Sequence, residues 1–141
     1  MTPASPLRAP VVQVLSQRVV DRYAELSGDF NPIHVDAAYA ARTPFGRTVA
    51  HGPLVLQAFF EALLTWLNAD VLPPGVRVQG VFRNPTMADA TVSCHLLGIE
   101  VENEVATLRA ECRTGDTVAV SVTASVPVPP GSPARAALLA T

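Results

Sequence analysis

Lysine is absent from this 141-residue chain, and all ten basic residues are arginine. A lysine Schiff base is therefore excluded, whereas the planar donor fork of arginine still suits phosphate groups. Cysteine is scarce: Cys94 and Cys112 show no metal-type spacing and no framework of bridges. Each lies in an alternating, strand-like run, so both are expected as buried free thiols. Charged residues make up only 16% of the chain against 49% hydrophobic. That balance allows a real core, and it points to a second subunit over part of the surface, so a homodimer is expected. A net charge of −2 and a pI near 5.8 argue against nucleic acid as a partner. No long apolar run is present either. The longest, Leu54 to Leu67, is interrupted by Gln57, Glu61 and Thr65 and falls short of the roughly 20 residues of a membrane span. Residues 1–10 lack the apolar core of a secretion signal. No membrane partner is expected, and the location is expected to be cytoplasmic.

The length suits one domain. Residues 1–10, with three prolines, read as a loose arm, residues 11–128 as the domain, and 129–141 as a flexible Pro- and Ala-rich tail. Val11 to Val14 reads as a short strand. Ser16 then suits a helix N-cap, with Leu15 and Val20 as a hydrophobic staple. Val19, Val20, Tyr23, Ala24 and Leu26 recur at helical spacing up to Gly28, a natural C-terminal stop. A short helix is expected after His34, with Asp36 near its start. A longer one begins near Gly52 and Pro53, where proline costs no hydrogen bond. Its polar residues Gln57, Glu61 and Thr65 fall on one narrow stripe, so this helix is expected to be enclosed. From Val76 onward the pattern alternates, in runs near 76–83, 90–100, 104–114 and 116–128, as expected of an antiparallel sheet. Helices first and a meander afterwards give an α+β fold with the sheet wrapped around the apolar helix.

The stretch S-G-D-F-N-P-I-H, Ser27 to His34, places a carboxylate (Asp29), an amide (Asn31) and an imidazole (His34) close together just beyond the first helix. Asp and Asn also favour turns through bonds to their own backbone, and Asn-Pro starts many loops, so the run alone is equally well a structural turn. A catalytic acid/base reading gains weight from the helix start at Gly52. Unpaired N–H groups and the positive dipole end there suit a developing oxyanion, and the oily helix beyond suits an acyl chain.

Together, Y-A-E-L-S-G-D-F-N-P-I-H, F-G-R-T-V-A-H-G and the apolar helix, spanning Tyr23 to Gly52 and beyond, resemble the MaoC-like hydratase/dehydratase family. That family includes the (R)-specific enoyl-CoA hydratases of the hot-dog fold. A weaker segment, F-R-N-P-T-M-A-D-A-T-V from Phe82 to Val92, resembles its strand, proline and Asp-turn. The resemblance implies Asp29 and His34 as the pair acting on one water beside the double bond of a trans-2-enoyl thioester, with Asn31 in support. It implies a thioester carbonyl held at Gly52, and it implies an acyl-CoA or acyl-carrier-protein substrate. No metal or other cofactor is expected, since Asp29, His34 and His51 lack a recognised ligand spacing. His51 is a candidate for supporting the site, and Arg42 and Arg47 for meeting CoA phosphates. Two departures stand out. Gln57 occupies a position where relatives often carry a small residue, which implies a shortened or polar acyl pocket, and Ala88 replaces a common glycine. Glu61, on the central helix, is the residue that a thioesterase reading would need. A dehydratase of carrier-bound intermediates and a non-catalytic thioester-binding subunit are the other readings weighed.

Overall fold

In the computed structural model, residues 8–140 are described, so most of the N-terminal arm lies outside the described residues. Strand β1 (Val11–Leu15) leads into α1 (Gln17–Ser27). The Ser16 side chain caps α1 by accepting from the Val19 amide at 3.2 Å. Gly28 ends it at φ 78°, a left-handed conformation that glycine adopts without strain, with its N–H on the Ala24 carbonyl. Both staple residues, Leu15 and Val20, are buried.

Two short helices follow. The four-residue α2 (Pro32–Val35) was not expected as a helix; the Asn31 side chain caps it and Pro32 pre-sets its first turn. The next, α3 (Ala37–Ala41), starts as expected on Asp36, whose carboxylate accepts from the Tyr39 amide at 3.0 Å. The long helix α4 spans Gly52–Leu67, with His51 as its N-cap, one residue earlier than expected, and Asn68 closing it at φ 51°.

The strands are β2 (Arg77–Phe82), β3 (Ala90–Glu102), β4 (Val105–Thr114) and β5 (Thr117–Pro127). They form one five-stranded sheet in the order β1-β3-β4-β5-β2, antiparallel throughout. Its concave face takes the apolar side of α4: Leu54, Val55, Ala58, Phe59, Ala62, Leu63, Trp66 and Leu67 are all buried, among Val92, Leu108, Val120, Val122 and Val126. Each large side chain fully enclosed in this way stabilises the fold by about 1.5–3 kcal/mol, so the helix and sheet hold one another. Cys94 and Cys112 sit opposite each other on β3 and β4 as buried free thiols, with Sγ atoms 3.0 Å apart. The hydrogen bond with the Cys112 thiol, and then burial, push the Cys94 thiol up, keeping it protonated and inert.

Two expectations are corrected. The central helix is not enclosed by its own chain, because one sheet covers only one side of it; Pro53, Gln57, Glu61 and Thr65 form an exposed stripe. The C-terminal segment expected as a flexible tail contains α5 (Pro133–Leu139), capped by Ser132. Ala134 and Leu138 bury their side chains in the core, and Pro133 in the first turn helps start the helix. Among the described residues, no helix is long and apolar enough to cross a membrane.

Candidate active site

Short-range bonds shape the S-G-D-F-N-P-I-H run. The Ser27 hydroxyl donates to the Tyr23 carbonyl at 2.7 Å and accepts from the Asp29 amide at 3.2 Å. Asp29 Oδ1 accepts from the Asn31 amide at 3.2 Å, and Asn31 Oδ1 accepts from the Ile33 amide at 3.1 Å. The turn chemistry and the proposed site chemistry are therefore not alternatives. Oδ1 of Asp29 makes the turn, and its other oxygen, Oδ2, faces His34 Nε2 at 3.8 Å. Asn31 caps α2 with its side-chain oxygen. It thereby aims the helix that carries His34.

A second strand of chain holds His34 from the far side. The Val49 amide donates to the Ile33 carbonyl at 3.0 Å, and the His34 ring places Nδ1 2.7 Å from the Val49 carbonyl. A carbonyl only accepts, so Nδ1 carries the proton and Nε2 of the neutral ring is a bare acceptor. The His34 carbonyl is held in turn by Gln17, whose Nε2 donates to it at 2.9 Å and to Asp21 at 2.8 Å. Gln17 Oε1 accepts from the Thr48 hydroxyl at 2.6 Å. Sequence reading passed over Gln17, Thr48 and the Val49 carbonyl; their bonds span 15 to 31 residues of chain, and no local motif marks them.

His51 stands behind the pair. It is 1% exposed, its ring stacks on His34 with centroids 3.8 Å apart and planes 25° apart, and Tyr23 meets it edge-on at 4.8 Å. Its Nε2 lies 2.9 Å from the Asp29 carbonyl and so donates to it. Asp29, His34 and His51 gather ligand-type atoms within 4.8 Å of one another. They fit a metal poorly: lone pairs in two stacked ring planes do not converge on one ion at the roughly 2.0–2.1 Å that a Zn–N bond requires.

The remaining expected residues divide. At the start of α4 the Leu54 and Val55 amides both donate to the His51 carbonyl, and Pro53 has no N–H. The Gly52 N–H is thus the one first-turn donor without an acceptor among the described residues. Gly52 also lets a ring approach, since a Cβ there would lie 3.3 Å from Phe82 Cε1 and Cζ. Gly52 and Phe82 line an open cleft of about 380 Å³ with Val49, Ala50, Val55 and Thr86. Asp29 and His34 do not line it; the cleft meets them through Val49, which holds His34, and Gly52, next to His51. Gln57 is not brought to this cleft. It is exposed on the open stripe of α4, donating to Glu61 at 3.3 Å. Arg47 donates to the Ala88 carbonyl at 3.0 Å and lies 3.6 Å from the Asp89 carboxylate, so it ties its loop to the turn before β3. Arg42, the C-cap of α3, lies 6.0 Å from the centre of the Tyr39 ring.

A five-stranded antiparallel sheet packed along one face of a long helix is the hot-dog fold. The chain belongs to the MaoC-like domain family, whose model matches residues 2–120. It is 34% identical over 119 residues to a 3-hydroxybutyryl-CoA dehydratase of Methylorubrum extorquens, covering 82% of this chain and 74% of that one. With the (R)-specific enoyl-CoA hydratase of Aeromonas caviae it shares 49% identity over 45 residues, 32% of this chain and 33% of the relative. Among solved structures, the (R)-hydratase from A. caviae involved in PHA biosynthesis matches with a TM-score of 0.73 at 29% identity. That match covers 89% of this chain and 100% of the other.

Proposed function

We propose that this protein catalyses the reversible hydration of trans-2-enoyl thioesters to (R)-3-hydroxyacyl thioesters, with Asp29 and His34 as the acid/base pair. The observation that carries the reading is the 3.8 Å separation of Asp29 Oδ2 from a His34 Nε2 left bare by the Val49 carbonyl. Two acceptors do not bond to each other, but both can receive hydrogens from one water. With both contacts at about 2.8 Å, they subtend roughly 85° at the water oxygen, a little under the water's own angle. The pair removes one proton as the oxygen attacks C3. It returns a proton to C2, so hydrogen and hydroxyl enter from the same face of the double bond. Dehydration is the same path reversed.

Charge develops on the thioester oxygen in the transition state. The Gly52 N–H, at the positive end of α4, is the donor we assign to it. One such donor supplies about 2.7–4 kcal/mol, and proton transfer by a positioned pair about 10²–10⁴-fold. A short acyl chain on CoA is the substrate we favour, supported by the four-carbon acyl group named in the M. extorquens relative. Phe82 and Val81 are exposed on β2, at the edge of the sheet. A homodimer joined along that edge would cover them and the open stripe of α4. Incubating the purified protein with crotonyl-CoA in deuterated water tests the reading. The expected product is (R)-3-hydroxybutyryl-CoA with syn addition. Absence of turnover on crotonyl-, hexenoyl- and octenoyl-CoA would reject it.

A further inference from the structure

We infer that His51 is a positioning residue for the proposed acid/base pair, acting through the N–H that it gives to the Asp29 carbonyl. The inference rests on the hydratase reading and adds a residue to it. His51 stands at the N-cap of α4, where side chains normally accept from the first-turn amides, yet its side chain makes no such bond. It is almost fully buried, and Nδ1 has no partner. A buried ring with an unsatisfied nitrogen costs stability and caps nothing. What it does make is a 2.9 Å bond to the Asp29 carbonyl and a face-to-face contact with His34.

The bond to Asp29 matters because of how the loop is otherwise held. Residues 28–31 bond to Ala24, Ser27, Ile33, His34 and one another, all close in sequence. Among the described residues, the His51 N–H makes the one hydrogen bond tying this loop to a distant part of the chain. His34, by contrast, is tied twice, through Val49 and Gln17. The 3.8 Å spacing between the two groups therefore depends on His51 from the Asp29 side and on Val49 from the His34 side. The stacked ring adds a wall that keeps the His34 plane from rotating. A misplacement of about 1 Å in such a pair lowers the rate by about 10²-fold.

Two variants separate the bond from the packing. His51→Phe keeps a flat ring against His34 and removes the donor; His51→Gln puts an amide N–H near the place of Nε2. Under the inference, His51→Phe lowers kcat by about 10²-fold with KM within about 3-fold, and His51→Gln restores kcat to within about 10-fold of the parent. A purely structural role instead predicts a lowered melting temperature and unchanged kcat in the folded fraction. His51→Phe with kcat within about 3-fold of the parent would overturn the inference, as would a His51→Gln variant no better than His51→Phe. Nitrogen NMR of the parent's imidazoles provides a check that needs no variant to fold. The expected spectrum has His51 protonated on Nε2 and bare at Nδ1, and the opposite tautomer would overturn the inference. Asp29→Asn, assayed alongside, tells the two failures apart. If it loses activity while His51→Phe does not, only the role of His51 falls; if it turns over like the parent, the hydratase assignment of the pair falls first.

Discussion

Gln17 offers a sharp test of the network behind His34, because its amide works in three directions. Its N–H groups go to the His34 carbonyl and the Asp21 carboxylate, and its oxygen takes the Thr48 hydroxyl. Gln17→Leu keeps the volume and deletes all three. The Asp21 bond is exposed and contributes little. The larger cost is Thr48, which is 6% exposed and would keep a buried hydroxyl without its acceptor, at about 1–3 kcal/mol. Losing the part-buried bond to the His34 carbonyl adds about 0.5–1.5 kcal/mol. The expected total is about 1.5–4.5 kcal/mol. Adding Thr48→Val removes the stranded hydroxyl as well, and replacing both partners by apolar groups of similar shape is nearly neutral for that bond. The double variant should therefore recover about 1–2 kcal/mol of the loss. Urea unfolding at one fixed protein concentration measures both, since any oligomer would make the midpoint concentration-dependent. A single variant within 0.5 kcal/mol of the parent, or a double variant no more stable than the single, would refute the reasoning.

Other outcomes follow from the same geometry. In a Phe82→Ala background, which clears the ring from the start of α4, Gly52→Pro should lower kcat by about 10²–10³-fold relative to Gly52→Ala. Both variants add a Cβ and only proline removes the N–H, so equal kcat values would deny Gly52 its role. Leu138→Ala, inside α5, should destabilise by about 2 kcal/mol, whereas Leu139→Ala, half exposed, should stay within about 0.5 kcal/mol; thermal melts of the two decide whether the helix is docked. Neither Cys94 nor Cys112 should react with an aromatic disulfide reagent in the folded protein, and both should react in denaturant. A fast-reacting thiol under native conditions would contradict their burial.

The four later strands are legible in the chain because alternation is a local property: a half-buried strand shows one face to the core and one to water at every second residue. Ser16, Gly28 and Asp36 mark helix ends for equally local reasons. The C-terminal helix is harder to read, since the prolines at 127, 129, 130 and 133 signal a loop, and only docking of Ala134 and Leu138 on the core makes helix the better state. The openness of α4 is a matter of assembly. Its apolar residues say that it is buried, but the exposed stripe at Gln57 and Glu61 depends on how much one sheet can cover. At the site, Asp29, Asn31 and His34 stand out because proline, amide and carboxylate crowd into one turn. Val49 leaves no trace, since it contributes a backbone carbonyl that any residue would supply. Thr48 and Gln17 look like ordinary surface polar residues until folding brings them together.

If the Asp29–His34 pair at 3.8 Å performs the chemistry, its loss shows in kcat for crotonyl-CoA hydration by Asp29→Asn and His34→Ala. Asparagine preserves the oxygen that accepts from the Asn31 amide, so Asp29→Asn should melt close to the parent. Each variant should lose about 10²–10⁴-fold in kcat, or about 2.7–5.4 kcal/mol of transition-state stabilisation. The double variant should be scarcely worse than either single one, as expected of residues acting as a unit. Turnover within about tenfold of the parent by either folded single variant would contradict a catalytic role for the pair.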